Sequence, residues 1–246
     1  VNCSWTPLSE GYCNVTSYVV PLSGETRVEN NALSGPIFVG TKTIIVPTHL
    51  PTIQEAVDEA VAGFTILVKT GTYTENVFID KSLSLIGENR NNTIIQGVDH
   101  SRGAVLYVIE DNVSITGFTL KYSGTLQPYY SGVLLDGISN CSVYDNYFTE
   151  NTAGVFLWEC FDCSIFGNNF TKNYGRAIAL HNSSICSISG NIGINNKVGI
   201  WLNYSRGCSV FNNNESNNDV GIELSGSSDC AVYSNDLIKN KYGMNL

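Results

Sequence analysis

Residues 132–153 read GVLLDGISNCSVYDNYFTENTA, and four more stretches follow the same pattern: GVFLWECFDCSIFGNNFTKNYGR (154–176), AIALHNSSICSISGNIGINNKV (177–198), GIWLNYSRGCSVFNNNESNNDV (199–220) and GIELSGSSDCAVYSNDLIKNKY (221–242). Each opens with Gly or Ala and an aliphatic residue, and each carries a cysteine at its tenth position: Cys141, Cys163, Cys186, Cys208 and Cys230. A fixed period of this length is the signature of a solenoid. Leucine-rich repeats share the period but need several leucines at set spacings plus a short helix, and no stretch here has helical apolar spacing. Two short alternating runs recur instead. One gives Val133/Leu135, Val155/Leu157, Ile178/Leu180, Ile200/Leu202 and Ile222/Leu224; the other pairs each repeat cysteine with Val143, Ile165, Ile188, Val210 or Val232. Period-two alternation places these residues on one face of a strand. Gly, Asn, Asp and Ser separate the runs as turn residues. Three short strands and three turns in about 22 residues make one coil of a parallel β-helix.

Two asparagine columns support this: Asn146, Asn168, Asn191, Asn213 and Asn235, and Asn151, Asn173, Asn196, Asn218 and Asn240. Asn tolerates left-handed backbone angles, and amides stacked on identical turns hydrogen-bond from coil to coil. The cysteine column reads as a buried, reduced ladder of small side chains. Neighbouring strands lie about 4.8 Å apart, whereas disulfide Cβ atoms need about 3.8 Å. Linear thiolates also do not converge on a metal. Of the other cysteines, Cys3 and Cys13 close a short loop and are the expected disulfide; Cys160 could pair with either of them or with Cys163.

The chain has 246 residues, 43% apolar and 14% charged, with a net charge of −9. The charged fraction is well below the usual value of about 25%, and Asn, Ser, Thr and Gly build the polar surface. Nothing supplies the basic stripe that a nucleic-acid partner requires. No apolar run approaches the ~20 residues of a membrane span. No charged-then-apolar leader opens the chain, and Val1 reads as a processed N-terminus. Asn-x-Ser/Thr sequons stand at Asn2, Asn14, Asn91, Asn112, Asn140, Asn169, Asn182, Asn203 and Asn214, against about five expected by chance. All are glycosylation candidates except Asn140, which adjoins a repeat cysteine. Eight cysteines in a Tyr- and Asn-rich chain point to an oxidising setting, secreted or at the cell surface.

Upstream, Thr52-x-x-Glu55 is a capping box opening an amphipathic helix expected over about 52–62, with Gly63 at its end. The motifs Ile53-Gln54-Glu55-Ala56, Gly71-Thr72-Tyr73-Thr74-Glu75-Asn76, Lys81-Ser82-Leu83-Ser84-Leu85-Ile86-Gly87 and Asn112-Val113-Ser114-Ile115-Thr116-Gly117-Phe118 resemble right-handed parallel β-helix proteins of the pectin-lyase-like superfamily. Within it they are most similar to the NosD-type and CASH-domain repeats common on microbial, especially archaeal, surfaces. The resemblance covers about 44–246 and implies an all-β, right-handed parallel β-helix solenoid whose helix caps its N-terminal end. It leaves function open, because one fold carries lyases, hydrolases, adhesins and scaffolds. The expected organisation is a strand-rich extension over 1–43 and the β-helix over 44–246, regular from 132 onward.

No catalytic residue, metal or cofactor is assigned. The five arginines share no repeat position with an acid column, so a lyase site lacks its parts, and no carboxylates pair at the spacing glycoside hydrolysis needs. Copper would require clustered His, Met or exposed Cys; His49, His100 and His181 are far apart and Met244 is the sole methionine. One surface comes near a site: Phe156, Trp158, Glu159, His181 and Trp201 form an outward aromatic and acidic patch suited to sugar rings. A second outward column, Tyr144, Phe166, Ser189, Phe211 and Tyr233, is mostly aromatic. Gly243-Met244-Asn245-Leu246 matches the opening strand of another coil, while β-prone stretches precede the helix. An open edge and a spare N-terminal strand are what head-to-tail assembly requires. The expected function is therefore a surface structural protein that self-associates through Tyr18, Val19 and Val20 and through Gly243 to Leu246. One alternative is a piece of a longer surface protein whose remainder supplies the cap; the other is a glycan-binding or polysaccharide-degrading protein using the aromatic patch.

Overall fold

The computed structural model describes residues 11–20, 23–24, 32–39, 42–98, 103–124 and 130–246. Two compact units divide the chain, Val1–Thr43 and Ile44–Leu246. In the first, strands Gly11–Tyr18 and Ala32–Val39 pair antiparallel, from Gly11 opposite Val39 to Tyr18 opposite Ala32. The N-terminal strand is thus half of a hairpin, with one edge already taken. Tyr18 ends it, and Val19 and Val20 beyond it are exposed. Of Cys13, Asn14 and Tyr18 only the backbone is described; Asn2, Cys3 and His100 lie outside the described residues, as does the expected Cys3–Cys13 disulfide.

The second unit is a parallel β-solenoid with three sheets. The first sheet has nine strands, from Thr43–Val46 to Ala231–Tyr233; the second has eight, from Gly71–Thr74 to Asp236–Ile238; the third has eight, from Val77–Ile79 to Tyr242–Asn245. Each coil contributes one strand to each sheet, and equivalent residues lie in register, as Val143 over Ile165 and Val155 over Ile178. The aliphatic residues of the alternating runs are buried in most coils, and in the last coils some become half-buried. Phe148 and Phe170 stack inside at 4.8 Å. The glycines that open two of the repeats make room for them: a Cβ on Gly132 would come within 2.6 Å of Phe148, and one on Gly154 within 2.3 Å of Phe170.

The corners explain the polar columns. A left-handed residue turns the chain, as Asp145 (φ 51), Gly167 (φ 65), Asn212 (φ 55) and Ser234 (φ 54), and the next side chain points inward. Asn168 is typical. Its Nδ2 donates to Phe166 O (3.1 Å) two residues back and to Val143 O (2.8 Å) on the preceding rung, and its Oδ1 accepts from Asn146 N (3.0 Å). A buried amide left unpaired costs about 1–3 kcal/mol; here donor and acceptor are both used, so the ladder fixes register. The cysteines occupy an equivalent corner. Cys163 Sγ reaches Phe161 O (3.5 Å) and Ile138 O (3.7 Å), the same two carbonyl positions an Asn takes. A further corner uses serine: Ser183 Oγ accepts from Cys160 N (3.0 Å) and donates to His181 O (3.0 Å). The cysteine of the five regular repeats is therefore a corner plug, apolar enough for the core and still a weak donor.

The helix runs Ile53–Glu59, shorter than the sequence suggests, because Ala60 is already extended (φ −65, ψ 148). Gly63 (φ 83) lies in the turn that follows and not at the helix end. Thr52 caps the helix through Glu55 N. The quoted upstream motifs anchor it over the first coil. The Glu75 carboxylate accepts from Ile53 N and Gln54 N (both 3.0 Å), Gln54 Oε1 accepts from Phe78 N (2.7 Å), and Lys81 Nζ donates to Val57 O (3.0 Å) at the other end. An anion at the helix start and a cation at its end complement the helix dipole.

Candidate functional site

The aromatic patch lies on the outer face of the third sheet. In-register pairing sets Asp136, Trp158, His181 and Asn203 in one column, and Leu134, Phe156, Ala179, Trp201 and Glu223 in the next. Strand alternation points both columns away from the coil interior. The structure corrects the sequence reading at Phe156. Its ring is 3% exposed and belongs to an apolar cluster with Ala104, Leu134, Ala153 and Ala179, against which Tyr107 and Trp201 pack. Pointing outward from a coil does not make a side chain free when its neighbours on the same face pack around it. Phe156 backs the patch and offers no face to a ligand.

The exposed part is a run of rings on adjacent rungs. Trp158, 37% exposed, lies 4.5 Å from the His181 ring, and His181 meets the edge of Tyr204 at 6.1 Å. Asn203 Nδ2 sits 2.8 Å from His181 Nδ1. Glu159 is exposed on a left-handed corner (φ 54). Asp136 is already engaged: Tyr107 Oη donates to its Oδ2 at 2.6 Å, and that hydrogen bond pushes the phenol up to about 12. The Arg176 guanidinium lies 3.8 Å over the Trp201 ring, and burial lowers its affinity for a proton. Arg176 was not foreseen; its place one strand position from the repeat's opening carried the signal. The patch can present aromatic faces, an amide and a cation held on indole to a sugar.

The second outward column is regular. Tyr144 and Phe166 stack at 4.9 Å, and Phe211 and Tyr233 at 5.2 Å, with Ser189 between the pairs. Asn91, Asn112, Asn140 and Asn182 are exposed, so Asn140 is as accessible as the others, while Asn169, Asn203 and Asn214 are half-buried.

Cys141, Cys160, Cys163, Cys186 and Cys208 are free and buried, and Cys230 is free and half-buried on the outermost rung. Hydrogen bonding with Cys163 and Cys208, then burial, pushes the Cys186 thiol up. Glu215 escaped the sequence reading. It is fully buried in the column of Phe148 and Phe170, in space left by Gly193 and Gly199. Burial raises its carboxyl well above the usual range; Asn218 Nδ2 donates to one oxygen at 3.2 Å, and Oε1 has no partner among the described residues.

A family model described as periplasmic copper-binding protein (NosD) matches residues 57–245. The residues present do not fit a copper site. The thiols stand in a line hydrogen-bonded to carbonyls, His181 is held by Asn203, and no group of three or more His, Cys, Asp or Glu converges among the described residues. A cell surface glycoprotein of Methanothermus fervidus is 31% identical over 109 residues, 44% of this chain and 16% of that protein. Among solved structures, the DFA-IIIase of Arthrobacter chlorophenolicus A6 in complex with GF2 shares the fold at TM-score 0.64 and 16% identity, over 79% of this chain and 64% of that one. The family 28 exopolygalacturonase of Yersinia enterocolitica does so at 0.64 and 13%, over 83% and 55%. The pre-mature bacteriophage phi29 gene product 12 matches at 0.61 and 18%, over 80% and 31%. The chain spans less than two thirds of each. No helix among the described residues is long and apolar enough to cross a membrane. The chain belongs to the NosD family, as a parallel β-helix protein of the cell surface or secreted space.

Proposed function

We propose that this chain is a structural, non-catalytic surface protein whose solenoid is extended end to end by further copies of itself. The stacking of the rungs carries the reading: one repeat recurs in register through three sheets, and each ladder Asn takes the backbone N–H of the rung before it, as Asn213 takes that of Asn191. A parallel sheet built this way accepts a further strand through the same hydrogen bonds. The helix covers the first coil, so the strand is added at the far rung, by the N-terminal hairpin of a second copy ending at Tyr18, Val19 and Val20. It meets Gly243, Met244, Asn245 and Leu246. A contact of this head-to-tail kind that does not close produces a filament. The surface glycoprotein relative supports the setting.

Sedimentation velocity over a range of concentrations tests this. The weight-average mass of the 246-residue chain should rise with concentration, and Met244→Asp should hold it at the monomer. A monomer at every concentration would end the proposal. A second reading rests on the exposed Trp158–His181–Tyr204 ring run: binding of a neutral glycan, with sugar rings on the indole face. Trp158→Ala with Trp201→Ala would then abolish sugar binding and leave the mass distribution unchanged.

A further inference from the structure

Between residues 130 and 246 the chain has four lysines, Lys172, Lys197, Lys239 and Lys241, and all four line one groove of about 770 Å³ at the corner between the second and third sheets. Ten acids share that stretch, and one of them, Asp219, lines the groove. Such segregation is unexpected in a chain of net charge −9. The lysines arrive by two routes. Lys172 (φ 54) and Lys239 (φ 56) occupy the left-handed corner position that Asn195 (φ 58) and Asn217 (φ 54) fill on the rungs between. Left-handed geometry suits Asn better than Lys, so local turn chemistry does not account for the lysines. Lys197 and Lys241 follow the buried ladder asparagines and face the first pair across them. Because each ladder side chain turns into the core, the surface between the two rows is concave.

The groove is not electrically self-satisfied. The ion pairs among the described residues are Lys69–Glu88, Arg90–Asp145 and Arg206–Asp229, and none of them uses these lysines; Lys241 lies 5.4 Å over the Tyr242 ring. Rungs lie about 4.8 Å apart, so Lys172 to Lys239 spans about 14 Å along the axis. Tyr174, 58% exposed, presents its ring in the same lining, with the corner amides Asn195 and Asn217. Cations at successive rungs, hydroxyl-binding amides and an aromatic face together suit a narrow chain that carries acid groups at regular intervals.

We propose that this groove binds a linear acidic glycan, its carboxylates or sulfates on the lysines and a sugar face on Tyr174. A nucleic-acid duplex has a wider footprint and would meet the acidic remainder of the surface. The groove does not rest on end-to-end association, since Lys172 and Lys197 lie on inner rungs and a monomer binds equally.

The test is calorimetric titration of the 246-residue chain with a hexameric oligogalacturonate at low salt. Binding is expected, weakening as salt rises. Lys172→Gln with Lys197→Gln should weaken it by about tenfold with the melting temperature unchanged, because each exposed cation contributes under about 1 kcal/mol. Arg206→Gln, at another corner, should bind like the parent, and a neutral glucan hexamer should not displace the oligogalacturonate. No binding at low salt, or an unchanged affinity in the double variant, would overturn the site. A single-stranded oligonucleotide of equal charge binding as tightly would overturn the glycan assignment.

Discussion

Replacing Asn191 with alanine removes one tread from a buried amide ladder, and the cost can be worked out from the bonds it breaks. Asn191 is fully buried. Its Oδ1 accepts from Asn168 N (3.0 Å) and Asn168 Nδ2 (3.1 Å), and its Nδ2 donates to Ile165 O (2.9 Å) and Asn213 Oδ1 (3.0 Å). Asn168 Nδ2 keeps Val143 O and Phe166 O, and Asn213 Oδ1 keeps Asn191 N. The lasting damage is an Asn168 N–H with no acceptor and an Ile165 carbonyl missing a donor. At about 1–3 kcal/mol for each buried group left short, the loss is about 2–6 kcal/mol. Asn235→Ala on the half-buried outer rung exposes the orphaned Asn213 N–H to water and should cost under about 1 kcal/mol. Urea unfolding followed by circular dichroism gives the comparison, and amide exchange at Asn168 gives a local readout, needed because solenoids can unzip repeat by repeat. Asn191→Ala within about 0.5 kcal/mol of the parent would refute the claim that the ladder holds register.

Three further outcomes follow from the same geometry. Glu215 has a folded value raised by burial, so its stabilising share is full below the unfolded carboxyl value of about 4.3 and declines as pH rises from there toward the folded value. The parent should lose stability relative to Glu215→Gln over that window; parallel melting curves across pH would contradict it. Ser189→Phe fills the gap between Phe166 and Phe211 and should raise the melting temperature, since each new aromatic pair contributes about 0.5–1.5 kcal/mol; a drop would show that the rings do not stack through that rung. Site-resolved labelling with a thiol reagent should modify Cys230 in the native protein and reach Cys141, Cys160, Cys163, Cys186 and Cys208 only on unfolding, as their burial dictates.

The coil was legible because its period is short and each position has one job. Val/Ile/Leu alternation, left-handed corner residues and inward Asn or Cys recur at one spacing, so five repeats vote on every position. What depends on neighbouring rungs was not legible. Phe156 alternates outward in the sequence, yet the apolar neighbours packed around it on adjacent rungs decide its burial. Glu215 breaks the inward Phe148 and Phe170 pattern, and only the register that sets it beside Gly193 and Gly199 shows how the chain accommodates it. The two β-prone N-terminal stretches were visible, but not that they pair with each other. The lysines lie at different repeat positions, and the fold brings them together across a corner. The helix motifs were visible as motifs, while their work in holding Ile53–Glu59 through Glu75, Gln54 and Lys81 appeared only in three dimensions.

Negative-stain electron microscopy of the 246-residue chain, beside the same chain lacking residues 1–24, tests the end-to-end account most directly. The account predicts filaments of the full chain and their loss on truncation, because the hairpin strand that adds to the next copy is gone. Dispersed single particles in both samples would contradict it.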